Sequence, residues 1–542
     1  MAGASISARE GRYPGRHYPY RSSSGMVLDH APEPLADIAP GEVVRFFLGQ
    51  DDIAVVLAPS DIQRELNDPF ARLVLTPGHR PKNLVEVLKI IDLATGADAV
   101  PGQRIYRIAD GGQIPWNDET ATLDRHLRIA ITRHRGEEAE LFISTAPPFS
   151  SETIFLQIFA WDPKSGAYNF YERRRGVWSW AGSSWQALME PTRGRGPFDS
   201  HVNGGPVMKE LKLPWMHWHS QSSQIRDDIF APDDPFPKDP LWNSSNLKGA
   251  EDLELIVRSG TARWTRSRFD RRTANGRLSN AREFLRQILT TTTVNLACSP
   301  QPSASLSDDD MLRLPTTFFL NSDCLVGELA LPATLSRAKT PASFYRAGLE
   351  KYEVCLRDGG NIFKRDTHFA FPVPEPSLED QMVLRELLAR GAISRRLALC
   401  LLMVDFPNPV FSDRRATLLE HIPEALVLDG GADLDGRFPA AVKSVIASKG
   451  ADSAEAEFTM LWETAGDWEM EFAARVDRYW ALVLARLLTA EGFDAFFQLA
   501  ESRRRQFRNR PLAEFGLTLP VATKLDLPAF LSLTEQAQVR PL

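Results

Sequence analysis

Cysteine is scarce: four in 542 residues, at positions 298, 324, 355 and 400. None stands in a CxxC spacing, which excludes a zinc ribbon and a thioredoxin-like redox pair. The set reads as reduced and intracellular, and no His or Asn beside any of them supports a catalytic thiol. Long hydrophobic runs are missing too. The best one, LALCLLMV at 397–404, falls well short of the ~18 apolar residues that span a bilayer. Residues 1–26 carry Arg9, Arg12, Arg16 and Arg21 without an apolar core, so they do not read as a secretory signal. A flexible polar tail over 1–30 and a cytoplasmic protein are expected. There is no Walker A loop, no GxGxxG between a strand and a helix, no GxSxG elbow and no repeat of solenoid period. Nor is there a large charge excess. Lys and Arg number 63 against 70 Asp and Glu, a net charge of −7, which makes nucleic acid an unfavoured partner.

What remains is an ordinary globular composition, and this length suggests roughly two large domains or three to four smaller ones. The pattern is α+β: an antiparallel β-rich middle region with a mostly α-helical C-terminal half. Residues 127–133, 139–145, 152–161, 167–175 and 176–182 alternate in the manner of strands, and Asp162-Pro163-Lys164-Ser165-Gly166 is turn chemistry. These predict an antiparallel meander. Residues 191–240 are rich in Gly, Pro and aromatics and read as a long irregular segment wrapping that sheet. A helix is expected from Asn280, with Glu283 at capping-box spacing, through Leu296. Further on, Ser377 should cap a helix that pauses at Gly391, resumes to Val404 and stops at Phe406-Pro407-Asn408-Pro409. Phe472, Val476, Trp480, Val483, Leu484 and Leu487 form a core-facing stripe, and 493–507 reads as another helix. The expected division is a tail over 1–30, an α+β domain over 31–300 and a mainly helical domain over 311–542.

The segment LPWMHWHSQ carries the strongest chemical signal. His217 and His219, at i and i+2 in extended chain, point to one side and can reach a single metal ion. His201 and Glu210 lie just upstream and can complete the set. Two His with one carboxylate suit non-haem iron, three His with an open position suit zinc, and a single His suits the axial position of a haem. His201, His217 and His219 are three of the ten histidines, and six of the twelve tryptophans lie between Trp161 and Trp218. That mixture of rings and polar groups is the composition of a small-molecule pocket. Trp215 and Trp218 would line it and exclude water. Arg266, in an arginine-rich stretch from Arg258 to Arg277, would hold an acidic substrate or cofactor group. The bland reading is an aromatic core lid with structural histidines, and surface ion pairs for the arginines. The glycines of His201-Val202-Asn203-Gly204-Gly205-Pro206 allow a tight turn or a close backbone approach. Asp366 and His368, at i and i+2, form a weaker base-and-orienter candidate. Asp308-Asp309-Asp310 lacks the spacing of a calcium loop.

The sequence thus favours an enzyme dependent on iron, held as a non-haem centre or as haem. It would be an oxidoreductase or oxygenase acting on a small organic molecule in an aromatic-lined pocket. A zinc-dependent hydrolase and a non-catalytic binding protein that uses its aromatic and arginine-rich surfaces are the alternatives. Oligomeric state is not written in the sequence.

Overall fold

Successive side chains of a strand point to opposite faces of its sheet, and the chain builds a sheet with packing on both. The computed structural model describes residues 35, 37–96, 99–109, 114–206, 225–358, 361–364, 366–509 and 519–542. The middle region builds an eight-stranded sheet from β1 (Val43–Arg45), β2 (Val55–Val56), β3 (Gly102–Ala109), β4 (Leu127–Arg135), β5 (Glu138–Thr145), β6 (Leu156–Asp162), β7 (Ala167–Arg174) and β8 (Val177–Ser183), ordered β2-β1-β8-β7-β6-β5-β4-β3. Strands β4 to β8 form the antiparallel meander that the alternation predicts, and β3 continues it beyond β4. Strand β1 adds to β8 in parallel, a long-range pairing that local pattern does not reveal. The β6–β7 turn closes as its residues dictate. Asp162 Oδ1 accepts from the Lys164 and Ser165 amides at 2.8 and 3.2 Å, and Gly166 takes φ +61°, where a Cβ would also collide with Ser267.

One face of the sheet buries Ile129, Ile131, Leu141, Ile143, Ile158, Tyr171 and Trp178 against α2 (Leu84–Asp92) and the irregular stretch that carries Ile229, Phe236 and Trp242. Helix α1 (Pro59–Glu65), just ahead of α2, adds Ile62 to the same core. The opposite face carries Phe142, Tyr168 and Phe170, packed against α3 (Ser184–Ala187) and α4 (Ala250–Arg272). Helix α4 is the arginine-rich stretch, and its arginines find internal partners. Arg263 pairs with Glu138 at 2.9 Å and lies over the Trp161 ring, while Arg268 is buried and donates to Gln287 at 2.5 Å.

The C-terminal half is helical: α5 (Ala281–Leu289), α6 (Ala342–Lys351), α7 (Leu378–Ala389), α8 (Arg395–Met403), α9 (Asp413–Thr417), α10 (Ala432–Lys449), α11 (Ala454–Trp462), α12 (Trp468–Leu487) and α13 (Ala490–Asn509). One continuous apolar core runs through it, from Phe269 to Ala537. The α+β architecture therefore holds, with 40% helix and 20% strand. Ser377 Oγ accepts from the Glu379 amide and opens α7, and Ser394 does the same for α8. The stripe on α12 faces inward as its spacing requires, with Phe472, Val476, Trp480, Val483 and Leu487 all buried.

The helix at Asn280 differs from the sequence reading at both ends. Asn280 sits at φ +53° and makes no capping bond with its side chain, and the helix stops at Leu289. Thr290 Oγ1 turns back to the Arg286 carbonyl at 2.7 Å and closes the helix. The β-branched run that follows is extended, and Val294–Ala297 pairs antiparallel with Val373–Pro376. Among the described residues, no helix is long and apolar enough to cross a membrane.

Candidate functional site

A cleft lies on the α4 side of the sheet. Its floor follows from the strand period. Phe142, Phe159 and Phe170 are directly opposite one another on β5, β6 and β7, so their rings form a ladder with centroids 4.4 and 5.5 Å apart. Two residues along the same strands, on the same face, Ser144, Gln157 and Glu172 are again direct neighbours. Gln157 Nε2 donates to Glu172 Oε1 at 3.3 Å, Arg128 Nη1 reaches Ser144 Oγ at 3.1 Å, and Arg174 pairs with Glu172 at 2.8 Å. An aromatic row and a polar row thus run side by side, which is how pockets combine affinity with orientation. Leu253 and Val257 of α4 and the loop residues Pro197, Ser200, His201 and Pro206 form the opposing wall.

His201 reaches the cleft because of the turns around it. After β8, Ser183 and Gln186 make a reciprocal cap on α3. The chain then folds back so that the His201 amide donates to Pro197 O and the Gly204 amide to His201 O at 2.8 Å. The imidazole packs against Phe159 and Phe170, with centroids 5.0 and 5.4 Å away. Its Nδ1 is 2.9 Å from the Gly205 carbonyl oxygen. A carbonyl can only accept, so Nδ1 carries the hydrogen, and in the neutral ring Nε2 holds the lone pair. The same backbone arrangement orients a metal-ligating or proton-accepting histidine.

The glycine pair makes this turn possible. Gly204 has φ +75°, and a Cβ there would lie 2.7 Å from the Ser184 backbone. Ser184 Oγ donates to Gly204 O at 2.7 Å. Asn203 is buried and donates to Glu379 Oε2 at 2.8 Å and to Thr292 Oγ1 at 3.1 Å, while its own carbonyl accepts from Trp264 Nε1 at 2.8 Å.

Of the metal ligands that the sequence suggests, the described residues include His201 alone. Glu210, Trp215, His217, Trp218 and His219 lie outside them, and Pro206, the last described residue before that stretch, lines the cleft. Among the described residues, no group of three or more His, Cys, Asp or Glu side chains is arranged to hold a metal ion. Arg266 is exposed on α4 and is not among the residues lining the cleft, whereas the buried Arg128 is.

The remaining candidates are not among the residues lining the cleft. All four cysteines are free and buried, and burial pushes the thiols of Cys298, Cys324 and Cys400 up, away from the reactive thiolate. The Asp366 carboxyl accepts from Ser303 Oγ at 2.5 Å and Tyr345 OH at 2.6 Å, and its burial raises its pKa to about 6. His368 is shifted the other way, its protonation disfavoured by burial and by Arg226.

The polar row was missed at the sequence level, although its signal is present. In LQIFAW, Gln157 shares the strand parity of Phe159 and Trp161. A polar residue in a half-buried aromatic row is the mark of a pocket edge. Comparison with known proteins gives no match to this chain, whether to a family model, a curated protein or a solved structure.

Proposed function

We propose that the protein is an enzyme acting on a small organic molecule held in the sheet-face cleft, with histidine-ligated iron, as a non-haem centre or haem, making it an oxidoreductase. The observation that carries this reading is His201. It stands at the wall of an aromatic-floored cleft with Nδ1 committed to the Gly205 carbonyl, the kind of bond that fixes the tautomer and orientation of a ligating imidazole. The sequence adds His217 and His219 as a pair able to share one ion, and Glu210 as a carboxylate. The iron would supply the redox chemistry. The chain's described residues would hold the substrate's flat apolar part over Phe142, Phe159 and Phe170, and its polar end beside Arg128, Ser144, Gln157 and Glu172.

A second reading, a binding protein without catalysis, is favoured by the ring contacts of His201 with Phe159 and Phe170, since a histidine packed in this way also serves as architecture. Metal content of His201→Ala and of the paired His217→Ala, His219→Ala variant separates the two. The enzyme reading expects wild type to hold iron in near-stoichiometric amount and the paired variant to lose it while staying folded by circular dichroism. Variants that keep the wild-type metal content remove these histidines from the proposal. A zinc content in place of iron turns the chemistry to hydrolysis.

A further inference from the structure

A small cavity lies in the helical half, where the end of α5, the first turn of α7, α8 and α9 meet. It has room for about one water molecule. The threonine run that closes α5 lines one side with Thr290, Thr291 and Thr293. Two side chains that can carry opposite charge line it as well, Asp380 of α7 and Arg415 of α9. Both residues are buried. The cavity adjoins the contact that seats the cleft wall. Asp380 follows Glu379, Thr292 stands among the lining threonines, and both Glu379 and Thr292 accept from Asn203.

The hydrogen bonds of these side chains leave capacity at the cavity. Arg415 commits Nη1 to the Val404 carbonyl at 3.3 Å and Nη2 to the carbonyls of Asn408 and Pro409, each at 3.1 Å. Those bonds fix the guanidinium, and its buried Nε has no acceptor among the described residues. Asp380 Oδ1 is buried too and has no partner among them. Burial without a partner is costly for donor and acceptor alike. Thr291 Oγ1 accepts from the Phe411 amide at 2.6 Å, so its hydroxyl hydrogen remains to be donated. Thr290 Oγ1 donates to the Arg286 carbonyl at 2.7 Å, so its lone pairs remain to accept. Donors and acceptors therefore line one small space.

We infer that this cavity is a binding site for one water molecule, which joins the Asp380 carboxyl to the Arg415 guanidinium. The lining selects the guest by its chemistry. A cation would meet the Arg415 guanidinium, an anion would meet the Asp380 carboxyl, and an apolar guest would leave both atoms unpaired. Water donates and accepts at once. It takes the hydrogen of Arg415 Nε and serves the carboxyl in either protonation state. The bridge ties α7 to α9 across a gap that neither side chain closes by itself. The site stands whether or not the cleft carries a metal.

A crystal structure of the full chain, with separate soaks in rubidium chloride and sodium bromide, tests it. The expected result is a single peak about 2.7–3.2 Å from both Asp380 Oδ1 and Arg415 Nε, without anomalous signal from either ion. A rubidium peak would make this a cation site and a bromide peak an anion site, and either overturns the proposal. So does a cavity without density, a peak that reaches only one of the two atoms, or an Asp380 side chain in direct contact with Arg415. Water-oxygen relaxation dispersion counts long-lived internal waters in solution. Asp380→Leu removes the acceptor and fills the space, so it should hold one such water fewer than wild type. An unchanged count in the folded variant overturns the proposal. Should Asp380→Leu not fold, the wild-type crystal decides.

Discussion

Replacing Glu379 by glutamine should make the whole protein more stable at alkaline pH than wild type, an unusual outcome for removing a buried, hydrogen-bonded group. The folded carboxyl titrates at about 7, against an ordinary value of 4.5, chiefly through burial. Between those values the folded chain binds more protons than the unfolded one, so stability falls as pH rises through this window and levels off above it. At 1.36 kcal/mol per unit, the loss between pH 5 and pH 8 comes to about 2–3 kcal/mol. Glutamine keeps an acceptor for Asn203 Nδ2 and has nothing to ionise. Asp380, whose carboxyl is pushed up in part by Glu379, is relieved of that neighbour in the variant, which shifts the double difference in the same direction. Unfolding free energies from urea titrations at pH 5 and pH 8, for wild type and Glu379→Gln, give the double difference directly. Agreement means that the variant loses about 2–3 kcal/mol less than wild type over this interval. Parallel pH dependences, or a variant that is less stable at pH 8, would refute the claim that burial outweighs Arg268 and Arg286 at this site.

Three other outcomes are expected. Trp264→Phe removes the indole donor to the Asn203 carbonyl and leaves space beside α3, at a cost of about 2–4 kcal/mol, visible as a lower thermal midpoint. Gly204→Ala puts a Cβ 2.7 Å from the Ser184 backbone at φ +75° and should destabilise by more than ~1 kcal/mol; a neutral result would mean that the turn relaxes freely. Ellman's reagent should leave the native protein unlabelled over minutes and titrate all four cysteines after denaturation, since all four are buried. Fast labelling of a native thiol would reopen a cysteine-based reading.

The parts of the fold legible in sequence are those decided within about ten residues. The alternation of β4 to β8, the Asp162–Gly166 turn, the Ser377 cap and the α12 stripe each carry their own signal. The parts that were not legible depend on distant partners. The β1–β8 pairing joins residues over a hundred positions apart. Helix α4 hides its core face because Thr261, Thr265 and Arg268 are buried among its apolar residues with their polar groups partly satisfied, so no clean stripe appears. Asn280 and Glu283 matched the capping box, but Asn280 adopts left-handed geometry, which asparagine tolerates. At the site, His201 stood out by its clustering with His217 and His219, and the Gly204-Gly205 pair by its chemistry. Its docking on Glu379 did not, because nothing near Asn203 in sequence points to a carboxyl 176 residues away.

The central claim is that a histidine-held iron works beside this cleft. Its most direct test is the absorption spectrum and elemental analysis of the native protein, purified without chelator or affinity tag. The account predicts near-stoichiometric iron, with a haem band if the iron is carried as haem. A folded, colourless protein that is free of metal and fails to take up iron or zinc on reloading would contradict it, and the histidines would then be read as part of the cleft's architecture.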